Sequence, residues 1–400
     1  MKHDQRKARL ETLLLEHQAL WRPQPFKIAT PDWCAAHPAL TTSLLALDDA
    51  TVDRLATDNA GLIGLLAGHV TALAELAGLI DLPPAGAAGG QPLPAGPARL
   101  YTDIPGRKQE QIAAYAATLG APRAPVLEWC AGKGHLGRLL AHRWHWPVAS
   151  LELDGDLCEA GEELARRARV DCMQQFIRAD ALAPASARHL AGRHAVALHA
   201  CGDLHTRLIA HAVDQASPAI DLAPCCYYRT EHAAYRPFNP TPLTLSHDDL
   251  RLAVTETRTA SARQRRQSHR AQAWKLGWVE LREALTGEAD YRPFPPVPEA
   301  WLRGRFAEFA ERMVERAGLQ AAMPASERHG GLAHYETLGH ARAARMRRLQ
   351  LVRLAFRRPL EVWLLMDMAV FLQRHGYDVA VGPFCAQDLT PRNLLLSARR

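Results

Sequence analysis

The chain has 400 residues, 48% of them hydrophobic, which is ample for packed cores and suggests two or three units rather than one minimal domain. A net charge of +6 leans towards an anionic partner, but only clustering of that charge would make it decisive. Eight cysteines without paired C-x-x-C spacing exclude a disulfide framework and a zinc-finger pattern, so reduced thiols, a cytoplasmic location and no metal are expected.

The first residues, Met1 to Arg9, lack the apolar core of a secretory signal. Residues 1–81 read as a helical N-terminal region, with Leu10, Leu13, Leu14, Leu15 and Leu20 on one amphipathic helix. Its most apolar stretch, 60–80, is broken by His69 and Glu75, which fits a buried helix and no membrane span. Residues 82–98, rich in Pro, Gly and Ala, predict an exposed linker. Over 99–226, short apolar runs at 126–130, 148–153, 174–178, 195–200 and 219–224 alternate with helical segments. That rhythm predicts a parallel sheet covered on both faces. The pattern breaks over 227–350, a basic and mainly helical insertion. It resumes over 351–400 with a helix at 359–375 and two strands, Tyr377–Phe384 and Asn393–Ser397. The fold class is therefore α/β: a seven-stranded, Rossmann-like sheet interrupted before its last helix and closing hairpin.

The run Val126-Leu-Glu-Trp-Cys-Ala-Gly-Lys-Gly-His-Leu-Gly137 ends a strand in a glycine-rich bend and opens a helix. Gly132 and Gly134, with Lys133 between them, bring bare backbone to a ligand, and the helix aims its first amides at the same place. Gly132, Gly134 and Gly137 also satisfy G-x-G-x-x-G, and Glu152 follows at the dinucleotide distance, which keeps an NAD-dependent oxidoreductase open. Glu128, four residues before Gly132, is out of place for NAD and suits a ligand with an amino group. The methionine half of S-adenosylmethionine carries one, so methyl transfer is the leading reading.

In an open parallel sheet the ligand lies beyond the carboxyl ends of the strands. Glu152 suits the ribose hydroxyls, with Asp154 as the fallback. Asp180, beside Ala181, suits an adenine amino group, although acids here also cap helices. The fourth strand ends in Leu198-His199-Ala-Cys201-Gly202-Asp203. His199 is a candidate general base near neutral pH; alternatively, His199 bonds backbone and Asp203 caps the next helix. The Asp/Asn-Pro-Pro-aromatic motif of adenine or amide N-methylation is missing. The fifth strand ends in Cys225-Cys226-Tyr227, so with Cys130 and Cys201 four cysteines face one pocket. Covalent attack on a pyrimidine and simple small-residue packing both fit them.

Taken together, Glu128-Trp-Cys-Ala-Gly-Lys-Gly-His-Leu, His199-Ala-Cys-Gly-Asp-Leu and Cys225-Cys-Tyr resemble the methyltransferase-like family with GKGxL, HxCGDL and CCY motifs. The chain is more distantly similar to the tRNA enzymes that methylate a ribose 2′-hydroxyl in the acceptor stem. The resemblance covers roughly 100–228 and 358–400, and it implies the seven-stranded class I methyltransferase sheet. It also implies S-adenosylmethionine at Glu128, Gly132, Gly134, Glu152 and Asp180, with Lys108, His199, Asp203, Cys226 and Arg392 lining the pocket. Cys130 stands where most such enzymes carry their first glycine.

Two basic runs bear on the acceptor. Residues 258–275 hold Arg258, Arg263, Arg265, Arg266, Arg270 and Lys275 beside Trp274, with Trp278 just beyond. Residues 342–358 hold seven arginines, and neither run contains an acid. Arginine forks with stacking tryptophans predict an RNA face; a solvated helix face with core tryptophans is the alternative. The sequence thus points to a methyltransferase acting on RNA, including tRNA. A protein or small-molecule methyltransferase and a catalytically silent, RNA-associated cofactor module are the other readings.

Overall fold

Runs of Val, Leu, Ile and Ala that cannot be left in water pair into one sheet whose central strands are covered on both faces. In the computed structural model, which describes residues 1–85, 96–120, 122, 124–255, 261–288, 291–324 and 331–400, the strands are β1 (Val126–Trp129), β2 (Val148–Glu152), β3 (Gln174–Arg178), β4 (His194–Cys201), β5 (Ala219–Cys225), β6 (Asp378–Pro383) and β7 (Leu394–Arg399). Most of the expected linker, residues 86–95, and Arg258 of the first basic run lie outside the described residues. Every residue of β1 and of β5 is buried.

The order is β3-β2-β1-β4-β5-β7-β6, all parallel except β7, which runs antiparallel to both β5 and β6. This is the expected seven-stranded α/β sheet of a Rossmann-like methyltransferase. The chain order reverses between β1 and β4, which opens a crevice beyond their carboxyl ends. A buried polar cluster locks β7 in place. Asp221 on β5 meets His194 Nε2 at 2.6 Å and accepts from Ser397 Oγ at 2.6 Å and Arg399 Nη2 at 2.8 Å.

By compactness the chain divides into a sheet unit, Met1–Glu16, Glu75–Thr259 and Arg357–Arg400, and a helical unit, His17–Ala74 and Ala260–Phe356. This division runs differently from the one drawn on sequence. The first helix, His3–Glu16, packs on Arg357–Arg374 within the sheet unit, and the segment after β5 stays there too. The helical unit is built on two long helices, Ala262–Thr286 and Leu332–Ala355, which pack together. Its core includes Trp274, Trp278, Phe306, Phe309 and Tyr335. Among the described residues no helix is long and apolar enough to cross a membrane.

Candidate active site

The bend after β1 folds as its residues require. Cys130 (φ 58°), Gly132 and Gly134 all take left-handed backbone, and the amide of Gly132 donates to Glu152 Oε2 at 2.8 Å. The other Glu152 oxygen accepts the amides of Leu153 and Asp154 at 2.9 and 3.1 Å. A carboxylate from β2 thereby braces the loop from β1, at the place where ribose hydroxyls are expected. Asp154, the fallback for that role, caps the helix Gly155–Ala168 through the amides of Asp156 and Leu157. Asp180 is exposed and accepts the amide of Leu182 at 2.9 Å, while Ala181 is buried beside it. Lys133 is half-buried on the loop.

Glu128, expected to suit a ligand's amino group, is buried. Its carboxyl is 4% exposed and accepts the Ser150 hydroxyl at 2.7 Å, and Gln174 Nε2 donates to that hydroxyl at 3.0 Å. Gly137 must be glycine for this arrangement, because a Cβ there would stand 2.5 Å from Glu128 Oε2 and 2.7 Å from Ser150 Oγ. Burial pushes the Glu128 carboxyl up to about 7, against the opposing pull of Ser150, the Gly137 amide, Arg138 and Lys108. Glu128 is therefore a buried carboxyl whose charge depends on pH near neutrality.

The end of β4 is irregular, with a register break between Leu198 and Cys201. His199 sits in left-handed backbone (φ 69°), and its Nε2 lies 3.3 Å from Gln111 Oε1. The surroundings of His199 bear on its expected role as a base near neutral pH. Burial first, then the charges of Lys108 and Arg392, hold the imidazole down at about 4, so it is neutral at physiological pH and a weak base. Asp203 is likewise engaged, accepting the Glu231 amide at 2.8 Å. Gly202 precedes it at φ 55°, and a Cβ there would meet the Arg229 carbonyl oxygen at 1.7 Å. Asp203 and the buried Tyr227 also line a cavity of about 360 Å³ with Leu182, Thr206, His232 and Arg236.

Three of the four expected cysteines gather at the ends of β4 and β5: Cys201, Cys225 and Cys226. Cys130 stands apart, its thiol pushed up to about 12 by burial and by neighbouring Glu152, Cys201, Asp180 and Glu128. It is a protonated thiol and no nucleophile. Cys226 is the opposite case. A hydrogen bond from Cys225, a second from Cys201 and the nearby Arg229 and Arg392 hold its thiol below the ordinary range, while burial opposes them. Cys130 and Cys226 directly follow β1 and β5, His199 lies two residues before the end of β4 between them, and all three carry left-handed backbone despite having a Cβ. Strained residues collected at strand ends are a mark of a working site.

Lys108 is exposed near the start of the helix Gly106–Thr118, within electrostatic reach of both Glu128 and His199. Arg392 donates to the Val254 carbonyl and influences His199 and Cys226. Sequence reasoning missed Gln111, which bonds both His199 and the Leu389 carbonyl. It also missed Ser150 and Gln174 beneath Glu128. A serine inside the apolar run Val148–Leu151 was the available signal; Gln174, one of two adjacent glutamines opening β3, gave none. Leu153 was missed as well: it follows Glu152 and is 60% exposed, an apolar platform at the same strand end.

The basic runs behave differently from expectation. Trp274 and Trp278 are buried; Trp274 packs against Phe306 and Phe309 and donates to Glu336 at 3.0 Å, so neither ring is free to stack on a base. In the second run Arg342 pairs with Glu280, Arg347 with Asp53, Arg348 with Asp49 and Arg358 with Glu361. Arg353 is buried on the carbonyls of Trp21 and Arg22. These arginines are internal braces. In the first run Arg263 and Arg266 remain exposed.

Residues 107–232 match a family model described as a methyltransferase domain. The match runs from the helix carrying Lys108 through the first five strands and past the cysteine cluster, so this part of the chain is similar to a methyltransferase domain. Over 143 residues the chain is 29% identical to a glutathione S-transferase C-terminal domain-containing protein of Xenopus laevis, an alignment that takes in 34% of this chain. The chain spans 22% of that relative's length. No solved structure matches.

Proposed function

We propose that the protein is an S-adenosylmethionine-dependent methyltransferase that seats its cofactor beyond the ends of β1, β2 and β3. The observation that carries this reading is the Gly132 amide held on Glu152, 2.8 Å away, in a glycine bend that follows the strand bearing the buried Glu128. That pairing leaves open space over Gly132, where a Cβ would meet nothing within 4 Å. Glu152 is suited to ribose hydroxyls, Leu153 and Asp180 to the face and amino group of an adenine, and Glu128 to the charge of an α-ammonium. The sulfonium of the bound cofactor supplies an electrophilic methyl group.

The acceptor fits the cavity beside Asp203 and Tyr227. Neutral His199 orients an acceptor hydroxyl or amine by hydrogen bonding, and alignment rather than strong proton abstraction does most of the catalytic work. Asp203 positions the segment around Glu231 that walls the cavity. For the acceptor class we retain RNA, including tRNA, since Lys108, Arg229 and Arg392 ring the strand ends and Arg263 and Arg266 are exposed. The weak basicity of His199 favours one other reading, a cofactor-binding module without turnover. Free thiols at all eight cysteines suit the reducing cytoplasm.

Incubation with methyl-tritiated cofactor and fractionated extract tests both parts. Label in an RNA fraction, falling steeply with added salt, is the expected result. Label only in protein or small molecules overturns the RNA acceptor. Calorimetry with no cofactor binding to folded protein overturns the methyltransferase reading, and binding without label leaves the silent module.

A further inference from the structure

Cys201 ends β4 and Cys225 ends β5, and the two are register partners across the sheet. Twenty-four residues apart in sequence, their sulfurs are 3.0 Å apart, and the Cys226 sulfur joins them so that all three lie within 4.8 Å of one another. None is in a disulfide. We propose that Cys201, Cys225 and Cys226 form a binding site for a thiophilic divalent cation, with zinc the ion of best fit, and leave its fourth coordination position open.

The geometry needs little adjustment. Zinc–thiolate bonds of about 2.3 Å in a tetrahedron separate sulfurs by about 3.8 Å. The Cys201–Cys225 pair therefore opens by less than about 1 Å on loading. Three sulfurs and no carboxylate rule out magnesium and calcium as natural occupants, since those ions require oxygen. Three thiolates around a divalent cation carry one net negative charge, and Arg229 and Arg392 lie where they offset it. The register break before Cys201 and the left-handed backbone of Cys226 turn these two cysteines out of the strand alternation. Among the described residues no fourth His, Cys, Asp or Glu completes the set. Three protein ligands with one open position are the pattern of zinc that meets a substrate rather than zinc that only staples a fold. The sequence reading expected no metal because the spacing lacks C-x-x-C pairs; the sheet, not the spacing, brings these thiols together. The inference does not depend on the cofactor assignment.

The test uses the full chain, reduced and chelator-stripped, titrated with cobalt(II) and then zinc(II). The expected result is one equivalent of cobalt with thiolate charge-transfer and tetrahedral absorption bands that zinc abolishes. Cys226→Ser loses these bands, and Cys172→Ser, at an exposed cysteine, keeps them. Since a serine at a sheet end can disturb folding, alkylation of the unaltered protein is read by peptide mass spectrometry. Zinc should shield Cys201, Cys225 and Cys226 and leave Cys172 labelled. Absence of thiolate bands in fully reduced protein, bands that persist in Cys226→Ser, or no shielding by zinc overturns the proposal. Cofactor calorimetry on the same samples reports separately on the methyltransferase reading.

Discussion

Glu128 joins a proton equilibrium to ligand binding. Its carboxyl, raised to about 7 by burial, is substantially protonated at neutral pH, whereas pairing with an ammonium group requires the carboxylate. Cofactor affinity should therefore tighten as pH rises towards about 7, by up to about tenfold per unit, and level off above it. Calorimetry at pH 6.5 in buffers of different ionisation heat should show a proton released on binding. A pH-independent affinity would remove Glu128 from the cofactor's charge. In the unliganded fold the sign reverses. The folded state holds this proton more tightly than the unfolded chain, so ionising Glu128 drains stability as pH rises from about 4.5 to about 7. Glu128→Gln should thus melt higher than the parent at pH 8 while binding cofactor more weakly. Affinity and stability moving in opposite directions is what distinguishes a ligand-facing carboxyl from a structural one.

At the scale of elements, the helix Arg357–Arg374 fastens the wall of the cavity beside Asp203 and Tyr227. Its fully buried Asp367 accepts the amides of Phe238 and Asn239 at 2.7 and 3.2 Å and the Tyr235 hydroxyl at 3.1 Å. Asp367→Ala leaves these donors unpaired and should destabilise the protein by about 3–5 kcal/mol. Limited proteolysis should then cut first near Tyr235–Asn239; unchanged cutting there would show that the helix does not hold the wall. The strands themselves were legible because sheets covered on both faces are written as unbroken apolar runs, as in Val126-Leu127 and Ala195–Leu198. The glycine bend was legible for the same local reason. The environment of Glu128 was not, since it depends on Ser150, its register partner on β2, and on Gln174 from β3, facts of long-range pairing. The arginine run 342–358 misled for a related reason. Its acids Asp49, Asp53 and Glu280 lie far off in sequence, and a local window counts charges without their partners.

The whole molecule depends on a joint that closes late. Burial alone would raise Asp221, but hydrogen bonds from His194 and Ser397 and the charge of Arg399 hold it below the usual carboxylate range. A depressed carboxyl adds stability above its unfolded value of about 4 and loses it as pH falls through the folded value. Asp221→Asn should cost about 3–5 kcal/mol at pH 7 and melt with a flatter acid profile than the parent between pH 5 and pH 3, roughly the window of carboxylate titration. Equal acid sensitivity in thermal melts of the two proteins would locate the weak point elsewhere. The same joint bears on birth of the protein in the cell. Asp221 and Ser397 are 176 residues apart, so at about 5–20 residues per second a ribosome leaves β5 without its neighbour for on the order of 10–35 s. Throughout that interval the edge of a strand that the finished fold buries along its whole length stands bare, ready to take any other extended chain as its partner.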